Sequence, residues 1–114
     1  MNFVNLTPHT VNLVNGGNQL FSVPPSGHIA RVATDQTVVG SVVGVDIVRT
    51  VFGDVDGLPA SQPDTVYIVS TLVLQALKAN GIKRDDVVAP DTSPTSVIRD
   101  ADGQIIGVKR FQVL

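Results

Sequence analysis

In TVYIVSTLVLQALKANG, residues 65–81, a strand pattern changes into a helix pattern at a single serine. TVYIV, residues 65–69, favours a strand because β-branched and aromatic side chains pack well on a pleated surface. After Ser70 the apolar residues recur every three to four positions, which predicts a helix over residues 70–81. Ser70 can cap the start of this helix, and Gly81 can end it.

The remaining sequence favours strands and turns. TVVGSVVGVDIVRTVF, residues 37–52, is rich in β-branched residues, and Gly40 and Gly44 within it indicate bulges, a hairpin or close backbone contact. GDVDGLPASQPD, residues 53–64, predicts a loop. Every one of the ten acidic residues is aspartate, which favours turns over helix interiors.

Hairpins are predicted near both ends of the chain. FVNLTPHTVNLV, residues 3–14, and QLFSV, residues 19–23, flank Asn15-Gly16-Gly17-Asn18, which tolerates positive φ angles. Pro8 interrupts the first strand. TSVIRDADGQIIGVKRFQVL, residues 95–114, predicts a second hairpin around Ala101-Asp102-Gly103. We expect an α+β fold: a mainly antiparallel twisted sheet or half-barrel with one main helix at about residues 70–80.

Length and charge narrow the possible functions. A chain of 114 residues and 12.0 kDa predicts a single domain, 1–114. A net charge of −2 argues against binding to long nucleic acids, which requires a basic surface. The absence of cysteine removes disulfides, thiolate nucleophiles and cysteine zinc sites. With no signal peptide pattern and no long apolar run, we expect a cytoplasmic protein without membrane contact.

Catalytic and metal-binding patterns are weak. The sequence has no G-x-S-x-G motif, and its imidazoles are His9 and His28. His9 fits a ligand contact or an acid–base group, but a turn histidine that hydrogen-bonds the backbone is the more frequent explanation. GDVDG, residues 53–57, lacks the glutamate that completes a calcium loop, and Asp85 and Asp86 point to opposite faces of a strand. We therefore predict no catalytic residue, no metal and no cofactor.

Anion-binding side chains are easier to place. The Ser70-Thr71 step offers two hydroxyls and the free N–H groups of a helix start, although simple capping, which almost every helix needs, is the more frequent explanation. Tyr67, the single tyrosine, can stack on a base or lie at the edge of the core. Arg84 and Arg99 flank APDTSPTS, residues 89–96, and arginine suits bidentate phosphate recognition. The candidate ligand-binding residues are Arg84, Arg99, Ser70, Thr71, Tyr67, His9, Asp91 and Thr92.

Four segments carry a resemblance to known proteins: NLTPHTVNLV at 5–14, PPSGHIARV at 24–32, DTVYIVS at 64–70 and RDDVVAPDT at 84–92. In this order they resemble a family of small phage and prophage proteins and look similar to the anti-Thoeris sponge proteins. That resemblance implies a homo-oligomer that binds cyclic ADP-ribose-type signals or cyclic oligonucleotides without cleaving them. It assigns no ligand residue here, so the candidate residues above rest on side-chain chemistry alone.

Together with the anion-binding side chains, the resemblance implies a phage-type anti-defence protein that sequesters a small anionic nucleotide-type signal in the host cytosol. Two alternatives remain open. A virion structural or assembly protein has the same β-rich composition and needs no small ligand. An enzyme that cleaves a cyclic nucleotide would use His9 as its acid–base group.

Overall fold

The computed structural model describes residues 1–15 and 18–114. Within these residues the chain forms ten strands and one helix, so the α+β prediction is confirmed. The strands are β1 (Asn2–Asn5), β2 (Val11–Asn15), β3 (Asn18–Val23), β4 (Arg31–Val42), β5 (Val45–Asp56), β6 (Thr65–Ile68), β7 (Val87–Pro90), β8 (Val97–Arg99), β9 (Ile105–Val108) and β10 (Phe111–Gln112). The helix is α1 (Thr71–Ala79).

The central sheet has the strand order β1-β6-β7-β10. β6 pairs in parallel with β1 on one side and with β7 on the other, whereas β10 pairs antiparallel with β7. The parallel β6–β7 pair requires a crossover connection, and α1 lies within it. Two ladders of this sheet are therefore parallel, although sequence patterns favoured antiparallel pairing.

A second sheet has the order β3-β2-β9-β8. The predicted terminal hairpins supply its strands: β2 pairs antiparallel with β3, and β8 with β9. The sheet joins the two ends of the chain through a parallel contact of Leu13 with Val108. Of the predicted first turn, Gly16 and Gly17 lie outside the described residues. The second predicted turn, at Ala101-Asp102-Gly103, connects β8 to β9 as expected.

The central sheet lies between α1 and the second sheet. Successive residues of a strand point to opposite faces, and the β6 segment uses both faces for the core. Tyr67 and Val69 pack with Val73, Leu74 and Leu77 of α1. Ile68 instead packs against the second sheet, in a cluster formed with Val11, Leu13, Val23 and Val108. Full burial of Ile68 and Val69 explains why residues 65–69 lack polar alternation.

A long two-stranded arm extends from this body. β4 and β5 pair antiparallel around a Val43-Gly44 turn, and register shifts near Val38/Gly40 and Val32/Thr34 mark bulges. The arm contributes to a radius of gyration of 16.3 Å. A fully compact chain of this length would have a radius of gyration of about 13 Å. The hairpin and bulge anticipated from Gly40 and Gly44 are confirmed.

The predicted loop at residues 53–64 begins too early, because β5 continues to Asp56. Asp56 pairs with Arg31 and Val55 with Val32, so cross-strand pairing overrides a turn-like composition. α1 follows the prediction more closely: the Ser70 side chain accepts a hydrogen bond from Val73 N, and Gly81 has a φ of +71°. Among the residues described, no helix has the length and apolar character needed to cross a membrane.

Candidate ligand-binding cleft

The loop that carries His9 is built on a buried asparagine. Asn5 is 1% exposed, and its Nδ2 donates to the carbonyls of His9 at 2.8 Å and Val23 at 2.9 Å. Its Oδ1 accepts from the backbone N–H of Thr7 at 2.9 Å. The Thr7 hydroxyl lies 2.7 Å from Asn5 Oδ1 and 3.0 Å from the His9 carbonyl. These bonds fix the turn at Pro8 and direct His9 outward, since the histidine is exposed.

The start of α1 faces the same region. Thr71 Oγ1 accepts a hydrogen bond of 3.1 Å from Gln112 Nε2, which also donates to the Pro90 carbonyl at 3.0 Å. The Gln112 side chain therefore ties the helix start to β7 and β10. The Ser70 hydroxyl already caps Val73 N at 3.3 Å. The first N–H groups of a helix have no intrahelical partner and point away from it, so they remain suited to an acceptor on a ligand.

The two elements enclose a cleft of about 530 Å³, called the His9 cleft from here on. This volume is within the range of small-molecule sites. Hydroxyl, imidazole and amide groups supply its polar wall: Thr7, His9, Thr10, Asn12, Ser70, Thr71 and Thr92. The remaining lining residues form an apolar wall: Pro8, Val11, Pro90, Ile105, Ile106, Gly107 and Val108. Four of the eight predicted residues therefore meet here: His9, Ser70, Thr71 and Thr92.

Arg84 and Tyr67 lie elsewhere. Arg84 holds Asp86 through two hydrogen bonds, Nε to Oδ1 at 2.7 Å and Nη2 to Oδ2 at 2.9 Å, and also donates to the Pro59 carbonyl. The hydrogen bond from Arg84 is the main reason that the pKa of Asp86 is lowered, and burial opposes it. Tyr67 is 3% exposed and donates its hydroxyl to the Ala60 carbonyl at 3.2 Å. Its side chain belongs to the core cluster around α1.

A second depression, of about 650 Å³, lies beside Arg84. It combines the apolar side chains of Leu74, Leu77 and Val87 with the cations Lys78, Lys83 and Arg84. Lys78 is in the last turn of α1, where a cation also suits the helix dipole. This depression has more positive charge than the His9 cleft, but it contains only one of the predicted residues.

Arg99 and Asp91 border the cleft without lining it. Arg99 donates to the Gly103 carbonyl at 2.6 Å and lines a small depression of about 300 Å³, whose wall includes Thr92. Thr92 is thus shared between this depression and the His9 cleft. Asp91 accepts from the backbone N–H of Ser93 at 3.0 Å and from Arg110 Nε at 2.5 Å. These two contacts, the Ser93 backbone first, lower the pKa of Asp91.

Sequence reasoning missed the apolar wall of the cleft. Ile105 and Ile106 are 48% and 49% exposed, and Asn12 donates to the Ile106 carbonyl at 3.1 Å. Asn12 and Ile106 are 94 residues apart in the sequence, so no local pattern links the isoleucines to the His9 loop. The dipeptide Ile105-Ile106 nevertheless was a local signal for apolar surface. Adjacent residues in a strand point to opposite faces, so both faces of the strand carry an apolar side chain at this point.

The donor set of the His9 cleft suits binding by hydrogen bonds and apolar contact. In the parts of the chain that the structure describes, no three His or Asp side chains come close enough to hold a metal ion. Comparison of the chain with protein-family models, with curated proteins and with solved structures finds no match.

Proposed function

We propose that this protein binds a small nucleotide-type ligand in the His9 cleft and holds it without cleaving it. The observation that carries the proposal is the meeting of His9, Ser70, Thr71 and Thr92 with an apolar wall in one cleft. Hydroxyls and free N–H groups suit ribose and phosphate oxygens, and the apolar wall suits the face of a base. The resemblance to phage sponge proteins supports the biological role: sequestration of a cyclic ADP-ribose-type signal or a cyclic oligonucleotide as an anti-defence measure.

Charge favours a compact ligand over a polyanion. Among the described residues that line the His9 cleft there is no lysine or arginine, and Arg99 lines the neighbouring depression that shares Thr92. A single phosphate of the ligand can lie at the helix start, and a second phosphate can extend toward Arg99. A longer nucleic acid requires a continuous basic surface, which a chain of net charge −2 does not favour.

Calorimetric titration tests the proposal directly. We expect cyclic ADP-ribose isomers or cyclic dinucleotides to bind, and His9→Ala and Thr71→Val to weaken that binding at least about tenfold. His28→Ala is the matched control, since His28 is an exposed histidine outside the cleft. Absence of heat and of thermal shift with every member of the panel would reject the proposal. Chromatography of the ligand after release separates a binder from an enzyme, because a binder returns it intact.

A structural role in a virion is the second candidate. The specific observation that favours it is the β4–β5 arm, whose exposed apolar side chains are of the kind that mark assembly surfaces. Mass spectrometry of purified virions distinguishes the two: a stoichiometric virion component supports assembly, and absence from virions supports the ligand-binding role.

A further inference from the structure

We propose that the β4–β5 arm is a self-association surface and that its partner is the arm of a second copy of this chain. The inference is independent of the His9 cleft and rests on the exposure, faces and charges of the arm. Eight of its apolar side chains are between 43% and 97% exposed: Val38, Val39, Val42, Val43, Val45, Ile47, Val48 and Val51. An isolated two-stranded ribbon is marginally stable in water, so such a surface gains from being covered.

The pairing register divides the arm into two faces. Antiparallel partners share a face, and Val42 pairs with Val45, Gly40 with Ile47 and Asp35 with Val51. Because neighbours along β5 alternate, Val45, Ile47 and Val51 lie on one face with Val42. We call this the Ile47 face. The opposite face contains Val38 paired with Val48, followed by Gln36–Thr50 and Thr34–Phe52, and is more polar.

The turn at the tip supplies a second observation. Val43 has a φ of +51° and is 97% exposed. A β-branched residue is a genuine outlier in this region, where asparagine or glycine is favoured. At this exposure the side chain packs against almost nothing in a single copy of the described chain, whereas a contact between copies gives it an apolar partner.

The charges of the arm favour a second copy of this chain as its partner. The Ile47 face carries Asp35 and Arg49, whose register partner Thr37 lies two positions from Asp35. The register pair Arg31–Asp56 at the base of the arm adds one more charge of each sign to this face. In a twofold pair, residue i of one copy meets residue j of the other and the reverse, so each Arg49 can approach the second Asp35. Residues 31–56 contain two arginines, four aspartates and no lysine, a balance that disfavours anionic lipid and nucleic acid.

The size of the face sets the expected strength. Twelve residues of strand and two strands of width give a face of about 400 Å², or about 800 Å² for two copies. This is at the small end of protein interfaces, so we expect a dimer with a Kd on the order of 10 µM. Two bulges limit addition of further strands at the arm's edges, which favours face-to-face packing over open polymers.

Sedimentation velocity from about 5 to about 500 µM tests the proposal on the full chain. Ile47→Lys should raise the dimer Kd at least about 30-fold, because it places a cation in the centre of each copy's face. Val48→Lys is the matched control: Val48 is 43% exposed against 44% for Ile47, adjacent to it and on the other face. It should change the Kd less than about threefold. Ile47→Thr keeps β-branching and the arm's pairing, and should give an intermediate loss.

A wild-type chain that stays monomeric over the whole range would overturn the proposal. Equal effects of Ile47→Lys and Val48→Lys, or species that grow without limit, would also overturn it. Binding of a monomer to phosphatidylserine vesicles would assign the arm to a membrane instead. Ligand binding should be unchanged in Ile47→Lys, because α1 separates the arm from the cleft: Asn80, after its last turn, contacts Gly53 of β5.

Discussion

Replacement of Asn5 by alanine is the sharpest test of how the His9 loop is held. The substitution removes two donated bonds, to the carbonyls of His9 and Val23, and two accepted bonds, from Thr7 N and the Thr7 hydroxyl. The Thr7 hydroxyl can turn to the His9 carbonyl at 3.0 Å, so it keeps a partner. The other three bonds, at about 1 kcal/mol each, give an expected loss of about 3 kcal/mol in the free energy of unfolding.

Urea denaturation followed by far-UV circular dichroism measures this loss. A change of about 3 kcal/mol lowers Tm by roughly 10–15 °C in a domain of this size. Asn2→Ala is the matched control, because it makes the same chemical change on the same strand at an exposed position. It should cost less than about 0.5 kcal/mol. If both variants lose the same small amount of unfolding free energy, the Asn5 hydrogen bonds do not stabilise the His9 loop and our explanation of residues 5–9 is wrong.

Three further predictions concern the rest of the fold. The pKa of Asp86 is lowered mainly by the hydrogen bond from Arg84, so this carboxylate contributes stability above its unfolded pKa of about 4, which is lost as the pH falls through the lower folded value. Asp86→Asn should lose about 1–2 kcal/mol at pH 7 and flatten the acid limb of a pH–stability curve. Gly57→Ala should destabilise by at least about 2 kcal/mol in urea titrations, because its φ is +82° and a Cβ would lie 2.6 Å from the Ile29 carbonyl oxygen. Val43→Asn should raise the unfolding free energy of the monomer by about 1 kcal/mol, because asparagine tolerates the positive φ at this position better than valine. A decrease in unfolding free energy instead would show that the valine is unstrained.

Local patterns were sufficient where a segment's neighbours are close in sequence. The Ser70 cap, the spacing of apolar residues in α1 and the Ala101-Asp102-Gly103 turn are short-range features, and all appear in the structure. The parallel pairing of β1 with β6 was beyond such reasoning, because Asn2 and Thr65 meet only through the tertiary fold. The end of β5 was misplaced for the same reason: its pairing with Arg31 decides it, and GDVD alone resembles a turn.

The candidate residues differ in whether another group of the protein already bonds to their side chains. The arginines were predicted as ligand-binding residues because arginine suits phosphate. The sequence does not show which carboxylate lies beside an arginine in the folded protein. Arg84 is occupied by Asp86 two positions away, and Asp91 by Arg110 across the sheet. Small hydroxyl residues at strand and helix ends, such as Ser70, Thr71 and Thr92, come together in one cleft, since chain topology brings such ends to a common edge.

The arrangement of the fold explains how one small chain can have a binding cleft and an association surface without conflict. The cleft uses the N-terminal end of α1, where Ser70 and Thr71 meet the His9 loop. The arm is anchored near the other end, where Asn80 Nδ2 donates to the Gly53 carbonyl at 2.9 Å. The nine residues of α1 lie between these two places. At the rise of an α-helix they separate the cleft from the anchor by about 13 Å. The proposed association through the arm would therefore leave the cleft open, and a dimer would have two such clefts.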